Sequence, residues 1–140
     1  MTEEAGRSSN PVSLVVAALR KRWGDLLGVW AFGSRIQGNA RPDSDWDLAI
    51  LIPGMADPWE LWSASGELAD ILGSPVDLID LRRASTVLQY LVVTTGERWW
   101  QKDAQADLYE AVILSEKAAL DAARAPLLRD IWREGHIYDR

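Results

Sequence analysis

Residues 33–50 read GSRIQGNARPDSDWDLAI, and two parts of that stretch carry chemistry. Residues 46–52 are apolar and rich in β-branched side chains, the signature of a strand. Side chains alternate faces along a strand, so Asp45, at its start, and Asp47 point the same way. Like charges that close repel, and burying either beside Trp46 and residues 48–52 is costly unless a cation lies between them. The pair therefore suits a divalent metal. Upstream, residues 27–32 form a short apolar run that reads as a buried strand, and Gly33-Ser34 follows it. A helical turn opening there offers backbone N–H groups and the Ser34 hydroxyl to phosphate oxygens. Each part has a plainer explanation alone: Asp45 capping a turn, Asp47 paired with Arg41 or Arg35, Ser34 as a helix N-cap. A phosphate grip and a metal cradle one short loop apart form a stronger joint signal.

A third acid is within reach. VDLIDL, residues 76–81, reads as another strand and carries Asp77 and Asp80. They are three apart and so face opposite sides of a sheet; only one can join Asp45 and Asp47. The other is expected to be structural, with Asp80 placed to cap the next helix. Two-metal phosphoryl transfer uses ions roughly 3.5–4 Å apart, bridged by shared carboxylates. The chain has no cysteine and a single histidine, His136, to which no role is assigned. A metal site must then be made of carboxylates, which favour Mg²⁺ or Mn²⁺ over Zn²⁺.

The flanking sequence predicts an α/β (α+β) domain with a small sheet flanked by helices. Asn10-Pro11 reads as N-cap and first residue of a helix that buries Val12, Val15, Val16, Leu19 and Trp23. Asp57-Pro58-x-Glu60 opens a second helix with reciprocal capping, and Gly73 ends it. A third is expected over residues 84–95. ERWWQ, residues 97–101, reads as a short strand or edge segment, with at least one of Trp99 and Trp100 in the core. A long helix is expected over residues 103–125, packing on Leu108, Ala111, Val112, Ser115, Ala118, Ala119 and Ala122, with Pro126 interrupting it before a short helix over residues 127–134. Residues 1–9 read as a disordered leader and 10–140 as one domain.

MTEEAGRSSN is not a signal peptide, and no run approaches ~20 apolar residues, so the chain reads as cytoplasmic and not membrane-bound. The net charge of −6 argues against direct nucleic-acid binding and permits a basic protein partner. Eight tryptophans identify no function by themselves.

The segment 33–50 resembles the glycine-serine and Asp-x-Asp signature of the DNA polymerase β-like nucleotidyltransferase superfamily. Gly33, Ser34, Arg35, Gly38, Ala40, Ser44, Asp45 and Asp47 fall where its small bacterial members place them. The resemblance runs from about residue 27 to 81, weakens in the tail, and points to the minimal nucleotidyltransferases (MNT), whose antitoxin members are paired with HEPN-type ribonuclease toxins. It implies that Asp77 is the third catalytic carboxylate, that Asp45, Asp47 and Asp77 hold two Mg²⁺ ions, and that Gly33, Ser34 and Arg35 bind the nucleotide. It further implies transfer of AMP from ATP to a tyrosine of the toxin. Two other uses of such a chain are an antitoxin that acts by binding alone, with a vestigial NTP site, and transfer to a small molecule such as an aminoglycoside.

Overall fold

The computed structural model describes residues 10–41 and 43–138, with side chains to residue 126. The expected leader, residues 1–9, and the side chain of His136 lie outside the described residues. The elements in order are α1 (Pro11–Arg22), β1 (Gly28–Phe32), α2 (Ser34–Gln37), β2 (Trp46–Leu51), α3 (Pro58–Leu72), β3 (Val76–Asp80), a 3-10 turn (Leu81–Arg83), α4 (Thr86–Thr95), β4 (Glu97–Gln101) and α5 (Ala104–Tyr138). The strands form one mixed sheet in the order β3-β2-β1-β4. β1 runs antiparallel to β2 and β4, and β2 runs parallel to β3 across the α3 crossover.

Alternation along the strands divides the core in two. Val29, Ala31, Leu48, Ile50 and Leu78 meet Val15 and Leu19 of α1 and Ala64 and Leu68 of α3. The opposite face presents Trp30, Ala49 and Leu51 to Val92 of α4 and Ala106 and Ile113 of α5. The molecule is thus helices on both faces of a small sheet, as the α/β expectation required.

Local signals placed most boundaries. Asn10 caps α1, its side chain accepting from Val12 N–H at 2.8 Å. Asp57 caps α3 by accepting from Glu60 N–H. The reciprocal arm is not made: the Glu60 carboxylate pairs with Arg22 instead, because α1 packs beside α3 and brings a full charge to it. Gly73 closes α3 in the left-handed conformation. The third helix begins at Thr86, with Ser85 as N-cap, because residues 81–83 are drawn into the 3-10 turn.

Asp80 is 3% exposed on the α1/α3 face and accepts from Ala56 N–H at 2.8 Å and Arg82 N–H at 3.1 Å. It caps the turn that follows β3. Asp80→Ala leaves two donors without their acceptor, and the expected cost is about 2–3 kcal/mol. Urea denaturation should show that loss as a lower midpoint at unchanged slope. A midpoint within error of wild type would show that water replaces both bonds.

Two expectations for the C-terminal third are corrected. α5 runs through Pro126 and includes residues 127–134. One proline removes a single i→i−4 bond, and the flanking Ala122, Ala123 and Ala125 are strong helix formers that carry the backbone past it. The packed stripe of α5 is also not the alanine-rich one. Ala106 and Ile113 are buried, whereas Leu108 and Val112 are exposed. The rotation is set by Glu110, which accepts from the indole N–H of buried Trp30 at 2.8 Å and pairs with Arg98. The expectation that at least one of Trp99 and Trp100 packs in the core is met by both, against the same cluster, which strict alternation would not allow. Val29 pairs with Trp100 and Trp30 with Arg98, so Trp99 is the extra residue of a β-bulge that re-aims its neighbour.

Candidate active site

β1 ends at Phe32, whose register partner on β2 is Asp47. Asp47 is in turn the register partner of Asp77 on β3. Both aspartates follow the odd-numbered positions of their strands, the side shared with Ala49, Leu51 and Ile79, so they face the α4/α5 layer. Parallel neighbours lie about 4.8 Å apart, which sets the two carboxylates side by side at the strands' N-terminal ends. Asp45 sits one residue before β2 and is exposed, as is Asp77; Asp47 is half-buried. Asp80 is on the other side of the sheet, capping its turn, and does not join them.

Directly after Phe32 the chain reverses at Gly33, with φ 80° and ψ −161°. A Cβ there would lie 2.2 Å from Oδ2 of Asp47. Glycine therefore lets the Gly33-Ser34 turn touch the carboxylate. The Gly33 carbonyl accepts from Ile36 and Gln37 N–H at 3.1 and 3.0 Å, and Gly38, also at positive φ, closes α2 onto Ser34. Gly33, not Ser34, occupies the N-cap position. Among the described residues the Ser34 hydroxyl has no hydrogen-bond partner.

The Arg35 side chain reaches across the loop that precedes β2. Its guanidinium donates to the Ser44 carbonyl at 3.1 and 2.8 Å and to Ser74 Oγ at 3.1 Å, and it stacks 5.2 Å from the Trp46 ring centroid. Arg35 thus fastens the loop carrying Asp45 to the segment leading into β3. Ser44 tightens the same loop by accepting from Arg41 N–H at 2.7 Å. Arg82 and Arg83 are also occupied away from the aspartates, on the carbonyls of Ile52 and Ala56. The sequence reading missed the contact of Gly33 with Asp47 and the Arg35–Ser44–Ser74 tie. Neither has a local sequence signal, since both join segments brought together only by the sheet.

Burial holds the Asp47 carboxyl above its ordinary range, and the charges of Asp77 and then Asp45 raise it further. Among the described residues none of the three carboxylates has a cationic or hydrogen-bonding partner. They lie near enough to repel without closing into a tight ligand cage; among the described residues no such cage of three or more His, Cys, Asp or Glu side chains is present. An all-oxygen donor set, crowded in charge and open to solvent on one side, fits a hard divalent cation that arrives with its own oxygen ligands. Beside it the Gly33-Ser34 turn offers donors to an anion. A cation site against an anion site can bind a polyphosphate and favour displacement at phosphorus. Among the described residues no helix is long and apolar enough to cross a membrane.

Residues 16–105 match the family model described as polymerase beta, nucleotidyltransferase. Over 117 residues the chain is 35% identical to the protein adenylyltransferase MntA of Shewanella oneidensis, covering 84% of each chain. Two solved structures are similar throughout. One is a crystal structure of a toxin–antitoxin with AMP-PNP, at TM-score 0.75 and 34% identity, covering 89% of this chain and 98% of that one. The other is a tri-AMPylated HEPN toxin of S. oneidensis in complex with its MNT antitoxin, at TM-score 0.71 and 31% identity, covering 87% and 96%.

Proposed function

We propose that this chain, which belongs to the polymerase β nucleotidyltransferase family and within it to the minimal nucleotidyltransferase antitoxins, transfers AMP from ATP to a tyrosine of a HEPN-type ribonuclease partner in the cytoplasm and so silences it. The observation that carries the reading is the register Phe32–Asp47–Asp77, with the Gly33-Ser34 turn against Asp47. The AMP-PNP and AMPylated-toxin complexes of its relatives support the donor and the acceptor class.

In this mechanism Ser34 and the backbone of residues 33–35 hold the β- and γ-phosphates, and the Arg35 side chain positions the loop. Asp45, Asp47 and Asp77 would hold two Mg²⁺ ions, which supply positive charge to the triphosphate and lower the pKa of the acceptor hydroxyl. The tyrosine oxygen attacks the α-phosphorus in line, the bond to pyrophosphate breaks, and Asp77 takes the tyrosine proton. Most of the acceleration comes from positioning and charge neutralisation.

Intact-mass spectrometry of a HEPN-type partner co-produced with the chain tests this reading. After incubation with Mg²⁺ and ATP the partner is expected to gain one or more AMP units, and Asp45→Asn should prevent the gain. A stable complex with no change of mass would instead favour inhibition by binding alone. Modification of an aminoglycoside but not the partner would move the acceptor to a small molecule.

A further inference from the structure

A second polar cleft lies at the other end of the sheet. Where α1 ends and β4 leaves the sheet, a cavity of about 420 Å³ opens between Arg20, Lys21, Trp23, Leu26, Trp100 and Lys102. Its place is fixed by two contacts: Lys102 N–H donates to the Leu27 carbonyl, and Trp100 pairs with Val29. Asp47 pairs with Phe32, three residues or roughly 10 Å further along β1. Trp100 packs with the α1/α3 cluster, whereas Asp47 faces the α4/α5 side. The cleft is therefore separate from the aspartates in both position and face.

Its charge runs against that of the molecule. The chain carries −6 overall, yet three cations line this cleft and, among the described residues, no carboxylate does. Arg20 and Lys21 sit in the last turn of α1, where cations offset a helix end worth about half a negative charge. That accounts for less than one of the three positive charges, and Lys102 stands outside α1 altogether. Arg22, the remaining cation of that turn, is engaged by Glu60 and Glu67 on α3. Asp103, next to Lys102, is committed to the first turn of α5 through Gln105 N–H.

The walls are aromatic. The Arg20 guanidinium lies 4.8 Å from the Trp100 ring centroid, a cation–π contact between two of the lining residues. Trp23 forms a second, half-buried wall above buried Leu26. A volume in the range of small-molecule sites, aromatic lining and three lining cations suit a ligand with one planar aromatic part and one phosphate. We infer that this cleft binds a mononucleotide, with its phosphate on Lys21, Lys102 and Arg20 and its base against Trp23, independently of the transfer site.

The probe is AMP in EDTA, added to the ¹⁵N-labelled chain and followed by amide and indole N–H shifts. Saturable shifts are expected at Trp23, Trp100 and Lys102. The double variant Lys21→Ala/Lys102→Ala, both exposed positions, should weaken binding about fivefold or more through loss of charge-assisted contacts. Four results would overturn the inference: no saturable shift, shifts confined to residues 33–37, unchanged affinity in the double variant, or equal binding of inorganic phosphate alone. Binding of an oligonucleotide without binding of AMP would also reject it, in favour of a strand-binding surface.

Discussion

Asp47→Asn is expected to lower the AMP-transfer rate by about 10³-fold or more while making the metal-free protein more stable. The two effects share a cause. Asp47 is half-buried between Asp45 and Asp77, and burial followed by those two charges raises its pKa. A carboxyl whose folded-state pKa lies above its unfolded value weakens the fold when ionised. That penalty is present at neutral pH and is relieved as the pH falls through the folded value. Wild-type stability should therefore decline as the pH rises from the unfolded-state value of this carboxyl to its raised folded-state value, and Asp47→Asn should lack that component. An asparagine removes the charge at constant shape, so the melting temperature without Mg²⁺ should rise. Added Mg²⁺ should stabilise the wild type by mass action and leave the variant nearly unmoved. Calorimetry with and without Mg²⁺, paired with the mass assay, reads both effects. A variant that is inactive but no more stable would place the repulsion elsewhere; one that is stable and active would remove Asp47 from the metal site.

What the sequence made legible follows from how local each signal is. The Asp45/Asp47 pair, the caps at Asn10 and Asp57 and the assignment of Asp80 to the opposite face rest on strand alternation or on contacts within a few residues. Those survive folding because no tertiary contact competes with them. The rotation of α5 was not legible. Several stripes of a long alanine-rich helix are equally plausible by period, and the choice is made by the Glu110 contacts with Trp30 and Arg98, 80 and 12 residues away. The side chain of Arg35 was illegible for the same reason: its partner Ser74 lies 39 residues on, and only the pairing of β2 with β3 brings it near. The paired faces of Trp99 and Trp100 depend on a bulge, which has no marker in ERWWQ.

Gly33→Ala should damage the fold and the transfer reaction together. At φ 80° and ψ −161° the backbone occupies a region essentially restricted to glycine, and holding another residue there costs of order 1–3 kcal/mol. Space is the second difficulty, since the new Cβ would meet Oδ2 of Asp47 at 2.2 Å. Something must shift, and each available shift harms the same site. Rotating the Asp47 carboxylate takes it from beside Asp77; moving the turn takes Ser34 from the phosphates. Displacement by even ~1 Å can cost about 10²-fold in rate. The expected result is a folded protein, destabilised by about 2–3 kcal/mol in urea, with transfer reduced at least 10²-fold. Gly38→Ala is the control. It shares the positive φ, 83°, but has nothing within 4 Å of the added carbon. It should lose stability by about 1 kcal/mol and keep most of its transfer activity. Comparable loss of transfer in both variants would show that turn flexibility matters, not the contact between Gly33 and Asp47. Loss confined to Gly33→Ala would tie the phosphate-binding turn to the metal-binding aspartate through one absent side chain.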